Sequence, residues 1–176
     1  MSDTKKNFSL TTYDIAFIGL LIALEFVLKS YLQISTPISK IGFGFLPIAV
    51  AARRYPIGIP VFVAVAGDLL GYFVVNFGQA FCYGITLTAA LTAVCTSLFI
   101  HKEVSVKRII AYVLINNIVG SFLMNTFWLH FQFGIPYGGL IVPRAIQAGV
   151  MIVVESIVVI TLLTKGDNLI NRSFRR

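Results

Sequence analysis

Long apolar stretches follow one another along this chain with few interruptions, and that pattern constrains its fold more than any motif does. A helix needs roughly 20 mainly apolar residues to cross the hydrocarbon core of a bilayer. Six such spans are predicted: Tyr13–Leu32, Ile41–Ala52, Pro56–Val75, Ala80–Ile100, Arg108–Phe131 and Leu140–Thr164. They occupy nearly all of the 176 residues and leave no segment for a soluble catalytic domain. Charged residues make up 12% of the chain, against roughly 25% in ordinary soluble domains. The expected class is therefore all-α, a single integral membrane domain over residues 1–176 built from six transmembrane helices. Residues 1–12 and 165–176 are its tails.

The first span is expected to be retained. It is longer than the apolar core of a secretory signal, contains Glu25, and lacks a small-residue cleavage site followed by a polar mature chain. Cys82 and Cys95 fall in the fourth span without disulfide or metal-ligand spacing and read as packing residues.

The formal charge of +7 is placed for topology. Lys5, Lys6, Arg53, Arg54, Lys102, Lys107, Arg108, Lys165, Arg172, Arg175 and Arg176 all fall on one side of a six-span arrangement. Only Lys29, Lys40 and Arg144 remain for the other. By the positive-inside rule both termini are cytoplasmic, and nucleic acid is not needed to explain the charge. The outer connections, Gln33–Gly44, Asn76–Gln79 and Gln132–Gly139, hold Gly, Pro and aromatic residues. The second span is short and contains Pro47. A broken helix is tolerated at membrane depth only where protein or a cavity surrounds the freed backbone, so these loops read either as a lid over an outward-facing site or as plain connections.

Glu25, Asp68 and Glu155 lie at bilayer depth. Facing lipid, the three would cost on the order of 9 kcal/mol at about 3 each, comparable to the stability of a whole domain. They must be turned inward. Glu25 and Lys29, four apart in the acid-before-base order, suit a structural salt bridge. Asp68, in Gly67-Asp68-Leu69-Leu70-Gly71, has no in-helix partner, so another helix or a ligand must supply one. The flanking glycines let a helix or a flat ligand approach its backbone. Glu155 has no reading beyond helix packing.

Arg144, after Pro143 at the outer start of the sixth span, suits bidentate pairing with a carboxylate, or it snorkels to the interface. Gln147 lies one turn further on. The fifth span ends Asn125-Thr126-Phe127-Trp128-Leu129-His130, offering an amide and a stacking plane, although a lone Trp is also a common interfacial anchor. His130 has no second ligand at metal spacing and reads as interfacial. Phe43, Phe45, Tyr72, Phe81 and Tyr83 add aromatics near the same leaflet, most of them lipid-facing or core. Ala16, Gly19 and Ala23 form a stripe of small residues on the first span, suited to a closely packed partner helix or to packing within the bundle. No Walker-type loop, HExxH or GxSxG occurs, so uphill transport would need ATP hydrolysed by a partner. No cofactor is expected on the chain itself.

With these residues in view, the chain resembles the substrate-binding S components of energy-coupling factor vitamin transporters, and among them the folate-specific type. The resemblance covers almost the whole length. It is carried by Gly44-Phe45-Leu46-Pro47-Ile48-Ala49, Gly67-Asp68-Leu69-Leu70-Gly71, Gly84-Ile85-Thr86-Leu87, Asn125-Thr126-Phe127-Trp128-Leu129 and Pro143-Arg144. The family's alanine-x-x-x-alanine motif on span one is met here by Gly19 and Ala23, with glycine in the first position. The resemblance implies a protein of the bacterial cytoplasmic membrane that captures a vitamin from outside. It would dock through Ala16, Gly19 and Ala23 on a transmembrane coupling subunit driven by two cytoplasmic ATPases, and topple to deliver its cargo.

For folate, Asp68 would accept the pterin's adjacent N–H groups bidentately, and Trp128 or Phe45 would stack on the ring. Arg144 and Lys40 would meet the dianionic tail. Asn125, Tyr72, Thr86 and Gln147 complete the implied site. Riboflavin, pantothenate, biotin or a queuosine precursor are the alternative cargoes. A membrane-embedded enzyme using Asp68 and Glu155, or an assembly subunit with no ligand, are alternatives of another class. The ligand readings share one expectation: the buried ionisable groups converge on one cavity open to the exterior.

Overall fold

Thr11 opens the first helix. Its hydroxyl accepts from the Asp14 backbone N–H, and the Asp14 carboxylate accepts from the Thr11 N–H, closing a capping box that starts α1 (Thr12–Ser30). The computed structural model describes residues 10–35, 40–75, 83–100 and 106–172, without the side chains of 33–35, 40, 41, 75, 133 and 164–172. After α1, an antiparallel hairpin pairs β1 (Gln33–Ser35) with β2 (Lys40–Gly42), Ile34 opposite Ile41. Then come α2 (Phe45–Arg54), α3 (Gly58–Val75) and α4 (Tyr83–Ile100). One continuous helical body comes next: α5 (Val106–Ile115), a π-helical segment (Asn116–Met124) and α6 (Asn125–Phe133). Gly134, at φ 66°, ends it in the left-handed conformation that suits glycine. Helix α7 (Tyr137–Arg172) closes the bundle.

Among the described residues, six helical bodies match the six predicted spans, and every long element is helical. The second span is corrected in detail. Its helix begins at Phe45, not Ile41, because Lys40–Gly42 pairs as a strand and Gly44 stands between that strand and the helix. Pro47 does not break α2. It stands in the first turn, where its missing N–H would have had no partner. With ten residues, α2 is about 15 Å long, half a bilayer core, and the strand Lys40–Gly42 takes up the start of the predicted span.

Burial is reversed relative to a water-soluble bundle. Glu25, Asn117, Arg144, Gln147 and Glu155 are buried, whereas Leu20, Phe62, Leu98, Val142, Ile146 and Ile157 are exposed. Polar groups turned inward and large aliphatics turned outward are what a hydrocarbon solvent selects. Three helical stretches, Tyr83–Ile100, Val106–Gln132 and Tyr137–Leu163, are long and apolar enough to cross a membrane, and Gly58–Val74 is a shorter apolar one. Helix α2 knits the interior together: Ala49 joins a core with Ile100, Ile109, Tyr112, Val113, Val159 and Leu163, while Ala51 joins one with Ile18, Leu21, Tyr55 and Val63.

At the α2 end, Arg54 pairs with Asp14 at 2.8 Å and lies over the rings of Tyr13, Phe17 and Tyr55. Tyr55 donates to the same carboxylate at 2.8 Å. Burial, helped by that hydrogen bond, pushes the Tyr55 phenol up to about 12, so it remains a donor throughout the physiological range.

Candidate functional site

Asp68 sits halfway along α3, where Gly67 brings the helix so close to α1 that a methyl at position 67 would overlap the Glu25 carboxylate. The close approach lets Lys29, at the C-terminal end of α1, reach across and pair with Asp68 Oδ1 at 2.5 Å. Thr86, near the start of α4, donates to Asp68 Oδ2 at 2.5 Å. Both carboxylate oxygens are thus oriented by other helices. An ionised carboxylate offers about four acceptor sites, so two remain for further N–H donors.

The expected Glu25–Lys29 pair is present only as a long contact of 3.9 Å, with Lys29 turned to Asp68 instead. Glu25 is 1% exposed, and its Oε2 has no hydrogen-bond partner among the described residues. Lys29 is the residue that sequence reasoning left out of the site. The signal was available: Asp68 lacked an in-helix partner, and Lys29 is one of the three cations that the charge pattern assigns to the side away from the termini.

Two other elements meet this cluster. A Cβ on Gly44, just before α2, would touch the Lys29 stem at 3.4 Å, so the Gly44-Phe45 turn lies directly on Lys29. Gly84 on α4 is covered by the Trp128 indole, which a methyl there would overlap. That contact brings α6 to within two residues of Thr86. Trp128 Nε1 and Asn125 Oδ1 are buried with no hydrogen-bond partner among the described residues, polar atoms that a bound molecule would satisfy. Trp128 also meets Phe127 and Phe131 edge-on.

Arg144 and Gln147 form a pair of their own on α7. Arg144 is 9% exposed and donates through Nη1 to Gln147 Oε1 at 3.1 Å, while its Nε lacks a partner among the described residues. It is not an interfacial snorkel. Helix α7 touches β2, the strand containing Lys40, whose side chain lies outside the described residues. Phe45 tilts against Phe43 and packs on the interior core, and Tyr72 stands edge-on to Phe73. Tyr83 is exposed, and Phe81 and Cys82 lie outside the described residues. His130 stacks on Tyr137 and bonds the Ile135 carbonyl through Nδ1 at 2.9 Å, closing the turn between α6 and α7.

The geometry therefore joins Asp68, Thr86 and Trp128 through α4, with Lys29 paired to Asp68 and Gly44 against the Lys29 stem. A cavity of about 60 Å³ lies elsewhere, between α4 and the π segment, lined by Thr92, Cys95, Asn116, Gly120 and their aliphatic neighbours. Ala16, Gly19 and Ala23 are all exposed, and a Cβ on Gly19 would meet nothing within 4 Å. The small-residue stripe is not used for packing inside the bundle.

Comparison with known proteins adds three findings. The chain is 34% identical over 144 residues to the folate transporter FolT of Clostridium novyi, covering 81% of this chain and 83% of that one. It is 27% identical over 153 residues to the folate transporter FolT of Leuconostoc mesenteroides, covering 83% and 82%. A crystal structure of FolT bound with folic acid superposes with a TM-score of 0.82 at 23% identity, covering 89% of this chain and 95% of that one, which shows the shared fold. No family model matches the chain.

Proposed function

The chain belongs to the FolT family of folate transporters, and from that premise we propose that it is the high-affinity folate-binding S component of an energy-coupling factor importer. It is a membrane transport protein, not an enzyme. The observation that carries the proposal is the 34% identity maintained across most of both chains.

The site residues support a ligand of this shape. Asp68, held by Lys29 and Thr86, presents its remaining acceptor sites to the side-by-side N–H donors of a pterin. Trp128 supplies a ring face, and Asn125 an amide oxygen in need of a donor. Arg144, steadied by Gln147, is assigned with Lys40 to the anionic tail; its planar guanidinium suits a carboxylate. Folate enters from outside, both termini lie in the cytoplasm, and all six helical bodies serve one membrane domain.

The exposed stripe of Ala16, Gly19 and Ala23 is assigned to the coupling subunit, since small residues let a partner helix approach closely. Two cytoplasmic ATPases acting on that subunit supply the energy.

Mass spectrometry of small molecules released from the detergent-purified protein, with thermal melting against folic acid, riboflavin, pantothenate and biotin, tests the assignment. A released folate and a melting temperature raised by folic acid are expected. Stabilisation by another vitamin with none by folic acid overturns it.

A further inference from the structure

Glu155 has no place in the site just described, yet it is 1% exposed in the middle of α7 and fully engaged. Tyr112 donates to Oε1 at 2.7 Å, Asn117 to Oε2 at 2.7 Å, and Asn116 to Oε1 at 3.4 Å. A carboxylate gathering three donors in a dry interior is too costly to serve as filler for a packing position. The donors explain its use. Asn116 and Asn117 are the first two residues of the π-helical segment, and Tyr112 stands one turn before it.

A π segment bonds i to i+5 in place of i to i+4. Here the Asn125 N–H bonds back to the Gly120 carbonyl, marking where the wide turns end. Each residue added in this way rotates everything beyond it by about 100°. Directly beyond lie Asn125 and Trp128. Gly120 is pressed against α4, where a Cβ would come within 2.7 Å of the Thr92 methyl, so the segment is fitted on one side to α4 and pinned on the other to Glu155. π-Helical segments are rare and frequently mark functional sites.

We propose that Glu155 is a positioning residue for the ligand site: by holding Asn116 and Asn117 it fixes the π-helical register that aims Asn125 and Trp128. The inference rests on the reading of Asn125 and Trp128 as ligand-binding, but its geometric half does not depend on folate. It predicts that the ligand-facing end of α6 is set by a carboxylate two turns or more away on a different helix.

Trp128 is the single tryptophan of the chain and reports on its own surroundings. The experiment compares Trp128 emission, folic acid titration and melting temperature in the full-length protein in detergent for Glu155→Leu, Glu155→Gln and Asn117→Leu. Glu155→Leu shifts the emission maximum and weakens folic acid binding about tenfold, within the range by which residues outside a site modulate it. Glu155→Gln, which keeps one acceptor, restores part of both. Tyr55→Phe, a loss of one hydrogen bond in the other core, lowers the melting temperature and moves neither. Should Glu155→Leu fail to fold, Asn117→Leu carries the same readouts with the carboxylate intact. Lowered melting temperatures with unchanged emission and affinity overturn the proposal, since packing alone would give that result. If the unaltered protein does not bind folic acid, the functional reading falls, and the emission shift still decides the positioning claim.

Discussion

Replacing Asp68 by Asn removes one charge from a cluster whose geometry allows the consequence to be worked out. Breaking a buried ion pair from one side costs about 3–5 kcal/mol when the remaining charge is stranded. Lys29 is not stranded: its side chain is 36% exposed, and Glu25 stands 3.9 Å away with an oxygen in need of a partner. The net loss of stability is therefore placed at about 1–2 kcal/mol, the Asn oxygen keeping the Thr86 hydrogen bond. Ligand binding loses more than stability does. A pterin facing the carboxylate exchanges a charge-assisted acceptor pair for an amide that offers one acceptor and an opposing donor, worth about 1–3 kcal/mol, or roughly 5- to 150-fold in Kd. Glu25→Gln is the control, because it alters the carboxyl group beside Lys29 while leaving the Asp68 face intact. The assay is calorimetric titration of folic acid with melting temperature measured on the same preparations. Asp68→Asn is expected to weaken binding with modest destabilisation, and Glu25→Gln to leave affinity unchanged. Equal weakening by both variants would refute the reasoning, since the polar cluster as a whole and not the oriented Asp68 carboxylate would then hold the ligand.

Two further outcomes are expected from close contacts and from their absence. Gly84→Ala places a methyl in the Trp128 indole, and overpacking of this kind costs about 1–3 kcal/mol; Trp128 emission shifts and folic acid binding weakens, both measured by fluorescence titration. Gly19→Leu meets open space, so melting temperature and folic acid affinity stay unchanged while co-purification with the coupling subunit and folate uptake by cells are lost.

Much of the fold was legible because lipid demands it. Six apolar runs gave six helical bodies, and intramembrane ionisable residues turned inward as their insertion cost requires. The hairpin was not legible. Gln33–Ser35 and Lys40–Gly42 are too short to show a strand period, and Ile41 lies next to the apolar run that forms α2. The π segment was invisible for a different reason: a run of apolar residues with Asn116, Asn117 and Gly120 reads equally well at an α period, and only the partner helices decide the register. Of the candidate site, Asp68 and Trp128 stood out by residue type and Thr86 came with the family resemblance; the structure brings the three together through α4. Lys29 was paired with Glu25 alone because the i,i+4 rule shows only the local partner, while the Gly67 crossing that brings Asp68 nearer is a tertiary fact.

Hydrogen bonds along α4 separate structural hydroxyls from those that tie the bundle together. Thr88 bonds the Gly84 carbonyl, Thr92 that of Ala89 and Ser97 that of Ala93, each satisfying its hydroxyl within the helix. Thr86 reaches off the helix to Asp68, and Thr96, besides bonding the Thr92 carbonyl, meets the Tyr112 hydroxyl that donates to Glu155. The part-buried carboxylate on α3 and the buried one on α7 are therefore both referenced to α4, at positions ten residues or about 15 Å apart along its axis. A single rigid helix thus sets the depth of the Asp68 cluster and, through Tyr112 and Glu155, the anchor of the segment that carries Trp128 back to Gly84. The site closes on the helix from which it was measured, which is why the glycine at 84 and the threonine at 86 have to stand together.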